Sequence, residues 1–209
     1  MRKLTFRLLV GIILTVSFSS VWAHSFNLGL IIPLSGPQLE FGQQALDGFL
    51  LATTEEDGHP DETSDGHLGG LDSHVLKVDS GSNSTGMLKS LENLMETREP
   101  IFVTGLFTAE NIELIKESLK RQNTVLFDPT ESAMWQLVLT APGQLKSMSG
   151  DSFSTRFQNR YGYEPTSAVM RGYIAARLIA ATVRSLPEEQ LSNSQGLALA
   201  LARLQRELR

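Results

Sequence analysis

The stretch "LGLIIPLSGPQLEFGQQALDGFLLA", residues 28–52, decides the fold. It opens as a run of apolar strand formers, stops at Pro33, turns through Ser35, Gly36 and Pro37, and continues with Phe41, Ala45, Leu46, Phe49, Leu50 and Ala52 at helical spacing. Extended by two residues on its N-terminal side, the first part reads as a buried strand, Phe26 to Leu34, and the second as a helix over Leu39 to Thr53. A strand, a tight Gly/Pro turn and a helix start can hold a small polar ligand at the helix N-terminus.

The same alternation recurs downstream. His74 to Asp79 (HVLKVD) is a short strand pattern, and Ser82, Asn83 and Ser84 offer N-caps for a helix with Met87, Leu88, Leu91, Leu94 and Met95 inward. Pro100 to Leu106 is a third strand. Thr108 then caps a helix whose Ile112, Ile115 and Leu119 point inward. Thr124 to Asp128 is a fourth strand, ended by Pro129. Connections of this length fit parallel crossovers, so the pattern predicts an α/β fold with a three-layer, doubly wound, mostly parallel sheet. Ligands collect at the carboxyl ends of the strands in such sheets. Those ends are residues 33–37, 79–83, 107–111 and 128–132.

Between these elements, residues 55–74, rich in Gly, Asp and His, read as a solvated loop. Later, Gln136 to Thr140 reads as a fifth strand and Ser152 to Tyr161 as a helix with Phe153, Phe157 and Tyr161 four apart. Thr166 to Leu186 is a long Ala-rich helix, broken by Pro187. Ser192 or Ser194 caps a last helix in which Leu197, Leu201, Leu204 and Leu208 form a seam, buried on the sheet or turned towards a partner.

The N-terminus reads differently. Arg2, Lys3 and Arg7 precede an apolar run from Leu8 to Val21, too short to span a bilayer comfortably, and Val21, Trp22 and Ala23 offer a cleavage site. Residues 1–23 are therefore expected to be a signal peptide and residues 24–209 one exported α/β unit, with βα repeats over 24–135 and a helical part over 136–209 completing it. Without the three N-terminal basic residues, the 18 Lys and Arg fall to 15 against 23 Asp and Glu, a net charge near −8. An acidic chain without a basic patch is a poor nucleic-acid or anionic-membrane binder. With no cysteine, neither disulfides nor thiol chemistry is available.

The chain resembles the type I periplasmic substrate-binding proteins of ABC importers, above all the branched-chain amino acid and amide receptors. The resemblance rests on Pro33, Leu34, Ser35, Gly36, Pro37, Phe41, Gly42, Gly48 and Ala52 in the opening strand-turn-helix, on "FVTGLFTAEN" and "TVLFDPTESA", and on Phe153, Phe157, Tyr161, Gly162, Pro165, Ala168, Gly172, Tyr173, Ala175 and Ala180 in the late part. Together these cover most of residues 26–186. The resemblance implies a Rossmann-like lobe of the periplasmic-binding-protein type I fold. It also implies a departure, since the chain passes from Ser132 almost directly to the late signature, leaving no room for a second lobe between.

The resemblance further implies a solute site on lobe one made by Ser35, Phe41, Thr108, Ala109, Asp128, Thr130 and Glu131. The hydroxyls and amides would hold a carboxylate or amide and Phe41 would supply an apolar wall. Plain capping and turn formation is the other reading of Ser35 and Thr108, and ordinary core that of Phe41. Asp128, Glu131 and Glu110 put negative charge there and favour a cation, an amide or a polyol over an anion. The implied partners are a small-molecule solute and the membrane permease of an ABC importer. A second protein chain, or another copy of this one, would cover the open cleft.

Two other functions stay in view. A protein with this fold could dock on a partner instead of binding a solute. His59, His67 and His74, with Asp57, Asp61, Glu62, Asp65 and Asp72, and His24 at a new N-terminus, are zinc- or copper-type ligands without the spacing of a defined site. No cofactor or resident metal is expected. Catalysis has little support: there is no G-x-S-x-G elbow, no His outside the 55–74 loop and the N-terminus to act as base, and Gly69-Gly70 precedes a strand where a phosphate loop would follow one.

Overall fold

A computed structural model of the chain describes residues 25–57, 64–81, 83–120, 122, 124–128, 153–187 and a few positions between 190 and 203. The readings of residues 1–23, of Gln136 to Thr140 and of the leucine seam lie outside them.

The opening stretch does form a strand, a turn and a helix. β1 (Ser25–Ile32) is buried on both faces because its alternate side chains serve two separate cores. Phe26, Leu28, Leu30 and Ile32 point into one, and Ile31 into the other. A 3-10 turn over Gly36–Gln38 leads into α1 (Leu39–Glu55). β2 (His67–Leu68) and β3 (Leu71–Asp79) follow, then α2 (Ser84–Arg98), β4 (Phe102–Gly105), α3 (Ala109–Leu119) and β5 (Val125–Phe127). The described chain closes with α4, residues 153–161, and α5 (Ser167–Ser185).

The five strands lie in the order β2-β3-β1-β4-β5, all parallel except the edge strand β2. On one face, Leu46, Phe49 and Ala52 of α1 and Ile174, Ala176, Ile179 and Val183 of α5 meet the even-numbered side chains of β1. On the other, Met87, Leu91 and Met95 of α2 and Ile115 and Leu119 of α3 meet Ile31, Val78 and Val103. The helical periodicities read from the sequence therefore point where expected, and the result is the anticipated three-layer α/β sandwich. Asn83, Thr108 and Thr166 each cap a helix through a side-chain oxygen that accepts a backbone N–H at the third following residue.

The solvated-loop reading of residues 55–74 needs correction. α1 runs to Glu55, β3 begins at Leu71 and not His74, and His67 and Leu68 form a buried strand paired with it. Gly69 and Gly70, with φ of 69° and 93°, make the two-residue turn between β2 and β3. Two consecutive positive-φ glycines match the right-handed twist of a hairpin, so Gly-Gly before an apolar alternation was a turn signal and not a loop signal.

The end of α1 is held by an ionic seam. Glu55 accepts from Arg156 of α4 at 2.6 Å and from the Tyr173 hydroxyl of α5 at 2.7 Å. Glu56 accepts from Arg177 at 2.5 Å, Arg184 at 2.7 Å and the Gly69 N–H at 3.1 Å. Asp57 meets His67 at 3.0 Å. Three consecutive acidic residues thus tie α1 to α4, α5 and the hairpin in turn. Further along, Phe153 and Phe157 bury against Leu51 and Val169, with the Tyr173 ring edge-on to Phe153 at 4.7 Å. Burial and a hydrogen bond to Asp47 push the Tyr163 phenol well above its usual range, so it stays a donor to that carboxylate.

Candidate functional site

Parallel pairing brings the carboxyl ends of β3, β1, β4 and β5 to one edge of the sheet. Ile32 lies opposite Asp79, Ile31 opposite Gly105, and Thr104 opposite Phe127. The chain leaves β1 for β3 on one side, then returns across β1 to β4 on the other. The strand order therefore reverses between β1 and β4, at the strand ends where α1 and α3 begin, and α/β sheets take ligands at such a switch point.

Backbone and side-chain bonds stitch the tips together. Asp79 Oδ1 accepts from the backbone N–H of Leu34 and of Gly81, each at 2.7 Å. Ser80 N–H donates to the Ile32 carbonyl and Leu106 N–H to that of Ile31, both at 3.0 Å. The Ser84 hydroxyl donates to Asn111 Oδ1 at 3.1 Å, joining the first turns of α2 and α3.

The expected site residues distribute as follows. Ser35 is half-buried in the turn after β1, Thr108 is exposed before α3, Ala109 opens α3, and Asp128 is half-buried directly after β5. These four share the edge. Phe41 stands in the first turn of α1, half-buried and not core, with the Arg171 guanidinium 5.5 Å from its ring centre. Burial lowers the pKa of Arg171 from that of a free guanidinium. Thr130 and Glu131 lie outside the described residues.

Thr108 does the work of a cap: its Oγ1 accepts from Asn111 N–H at 3.2 Å. Thr108→Ala is expected to cost about 1 kcal/mol of stability, the usual worth of an N-cap, measurable by urea denaturation. A Thr108→Ser variant keeps the oxygen and should lose only a few tenths of that.

Sequence reasoning missed two residues here. Asp79, an acid closing a strand before Ser-Gly, carried a legible signal as a turn-forming carboxylate. Arg171, on the far side of the chain in sequence, carried none.

Among the metal-type ligands, His67 is the best placed, and its surroundings do not converge on an ion. Asp57 lies 3.0 Å from Nδ1 and Asp72 lies 3.0 Å from Nε2, on opposite sides of the ring. The Asp72 contact is a close approach without hydrogen-bond alignment, since its Oδ1 is otherwise buried with no such partner. No group of three or more His, Cys, Asp or Glu among the described residues could hold a metal ion. His59, Asp61 and Glu62 lie outside those residues.

Fold and edge together define the class. The sandwich matches one lobe of the type I periplasmic binding protein fold, and its switch point at the strand ends is where α/β sheets take ligands. Its structural neighbours are ABC-transporter substrate-binding proteins. One is a solute-binding protein from R. palustris in complex with benzoate, with TM-score 0.64 and 11% identity over 85% of this chain and 85% of that one. A second is the branched-chain amino acid transporter substrate-binding protein LivJ from Streptococcus pneumoniae in complex with isoleucine, with TM-score 0.62 and 10% identity over 86% and 88%. A third is a leucine-binding protein from Thermotoga maritima, with TM-score 0.60 and 9% identity over 84% and 87%. At such identities the likeness is one of fold. No protein-family profile and no curated protein matches the sequence. Among the described residues no helix is long and apolar enough to cross a membrane.

Proposed function

We propose that the protein is the exported, periplasmic solute-binding component of an ABC importer, a non-enzymatic receptor for a branched-chain amino acid, an amide or a similar small polar solute. The observation that carries this reading is the gathering of four parallel strand ends and the N-caps Asn83 and Thr108 at one edge of the sheet, at its switch point. The fold shared with solute-binding proteins supports it. Ser35, Phe41, Thr108, Ala109, Asp128, Thr130 and Glu131 are the proposed ligand contacts. The N-terminal residues 1–23 serve as the export signal, and a permease is the downstream partner.

The proposal includes a one-lobe form. It is supported by the 25 residues from 128 to 152 that separate β5 from α4, too short a stretch to build a second α/β lobe. The matches run along 85–88% of the three solved chains named above, so the absent lobe is part of the proposal and not of the comparison. A single open lobe buries little of a ligand, so affinity is expected to be weak unless a second chain covers that edge.

A thermal-shift screen over L-isoleucine, L-leucine, benzoate, acetamide and putrescine tests the reading. At tenfold excess over Kd a true ligand adds about 1.4 kcal/mol, a rise of roughly 3–6 °C in Tm for a chain of this size. A flat screen favours the second reading, a protein that docks on a partner. One observation speaks for that reading: Leu39, in the first turn of α1 beside Phe41, is 47% exposed at the edge where another body would sit.

A further inference from the structure

We infer that Asp79 is the positioning residue that locks the β1 and β3 tips into one preformed half of the site; the inference rests on the solute-binding reading above. Its Oδ1 atom accepts two backbone N–H groups, from Leu34 and from Gly81, each at 2.7 Å. Leu34 lies 45 residues upstream, so a single oxygen fixes the spacing of two loops that come from different βα units. Charge-assisted bonds of this kind are roughly twice as strong as neutral ones.

The backbone around Asp79 is built to accept the tether. Gly36 has φ of 73°, and a Cβ on it would stand 2.9 Å from the Gly81 carbonyl oxygen. Gly81 in turn has the Ser35 carbonyl where its own Cβ would be. Ser35, Gly36 and Gly81 therefore press together without side chains between them, directly beneath the carboxylate. The Ser80 N–H to Ile32 bond continues the same seam into the sheet.

The functional consequence follows from the openness of the site. A receptor that closes around its ligand can order its contacts during closure. A single open lobe must have them in place beforehand, because every loop left to order on binding subtracts from the affinity. Asp79 sets Ser35 against Gly81, two residues before the Asn83 cap of α2, without itself needing to touch the solute.

Two measurements on the full chain test this. Backbone amide exchange in Asp79→Ala is expected to quicken at Leu34 and Gly81 by about tenfold or more, the equivalent of one lost charge-assisted bond, while amides of Leu28 to Leu30 in β1 keep their protection. Titration with whichever of L-isoleucine, L-leucine, benzoate, acetamide or putrescine raises the wild-type Tm is expected to show Kd weakened by about tenfold in the same variant. Asp79→Asn, which keeps an oxygen acceptor without the charge, should fall between and serves if the alanine variant does not fold. Unchanged protection at Leu34 and Gly81 overturns the inference, as does an unchanged Kd alongside faster exchange. If the wild type binds none of the five compounds, the solute-binding reading fails instead, and the exchange measurement decides alone whether Asp79 locks the loops.

Discussion

Gly172→Val is expected to prevent stable folding, with a loss above about 3 kcal/mol, at the severe end of overpacking effects. Gly172 of α5 faces the backbone of α1, where a Cβ would fall inside the Ala45 carbonyl oxygen and 3.0 Å from the Phe49 amide nitrogen. Gly48 of α1 makes the reciprocal approach to the Val169 carbonyl. Two glycines thus let the helices touch backbone to backbone, and no flexible side chain is available to yield. Relief would require the helices to move apart, opening the core that Phe49, Ile174, Ala176 and Ile179 fill. Circular dichroism melts of Gly172→Ala and Gly172→Val check the point: the alanine variant should be clearly destabilised and the valine variant largely unfolded at 37 °C. A valine variant with a wild-type melting temperature would show that α1 and α5 do not pack this closely.

The second large effect is expected at Glu56. Its carboxylate is 9% exposed and receives two guanidinium groups and a backbone N–H. Glu56→Ala removes an almost buried anion that three donors were arranged around. Arg177 and Arg184 are about half-exposed and can return to water, which limits their share of the cost. The Gly69 N–H loses its bond inside the hairpin turn. Together these predict a loss of about 2–3 kcal/mol by urea denaturation. Glu56→Gln, retaining one acceptor for Gly69, should lose less than half of that. Because part of the effect is ionic between half-exposed groups, the gap between wild type and Glu56→Ala should narrow in 1 M salt.

Much of the architecture was legible in residue order. The apolar run before Pro33, the 3.6-residue stripes of α1 and α2, and the caps at Asn83 and Thr108 depend on local spacing, and local spacing survives in the chain as written. Gly69-Gly70 was legible too, yet the acidic, Gly-rich composition around it outweighed the turn signal. The candidate site was legible only as a set of strand ends. That Ser35, Thr108 and Asp128 lie on one edge follows once the strands are parallel, and the alternation of strand and helix already required that. Phe41 was ambiguous because helical spacing puts it on the apolar stripe, whereas the first turn of α1 lies beyond the sheet that buries the rest.

What the sequence determined by itself is the succession of elements and which face of each is apolar, since both are set by side chains three, four or two positions apart. What only the tertiary structure decided are the pairings across long separations: Asp79 with Leu34, Glu56 with Arg177 and Arg184, Gly172 with Ala45, Phe41 with Arg171. A carboxylate, a glycine or an arginine chooses its partner by distance in space. That distance is fixed only when the sheet order and the crossing of α1 over α5 have brought remote segments together.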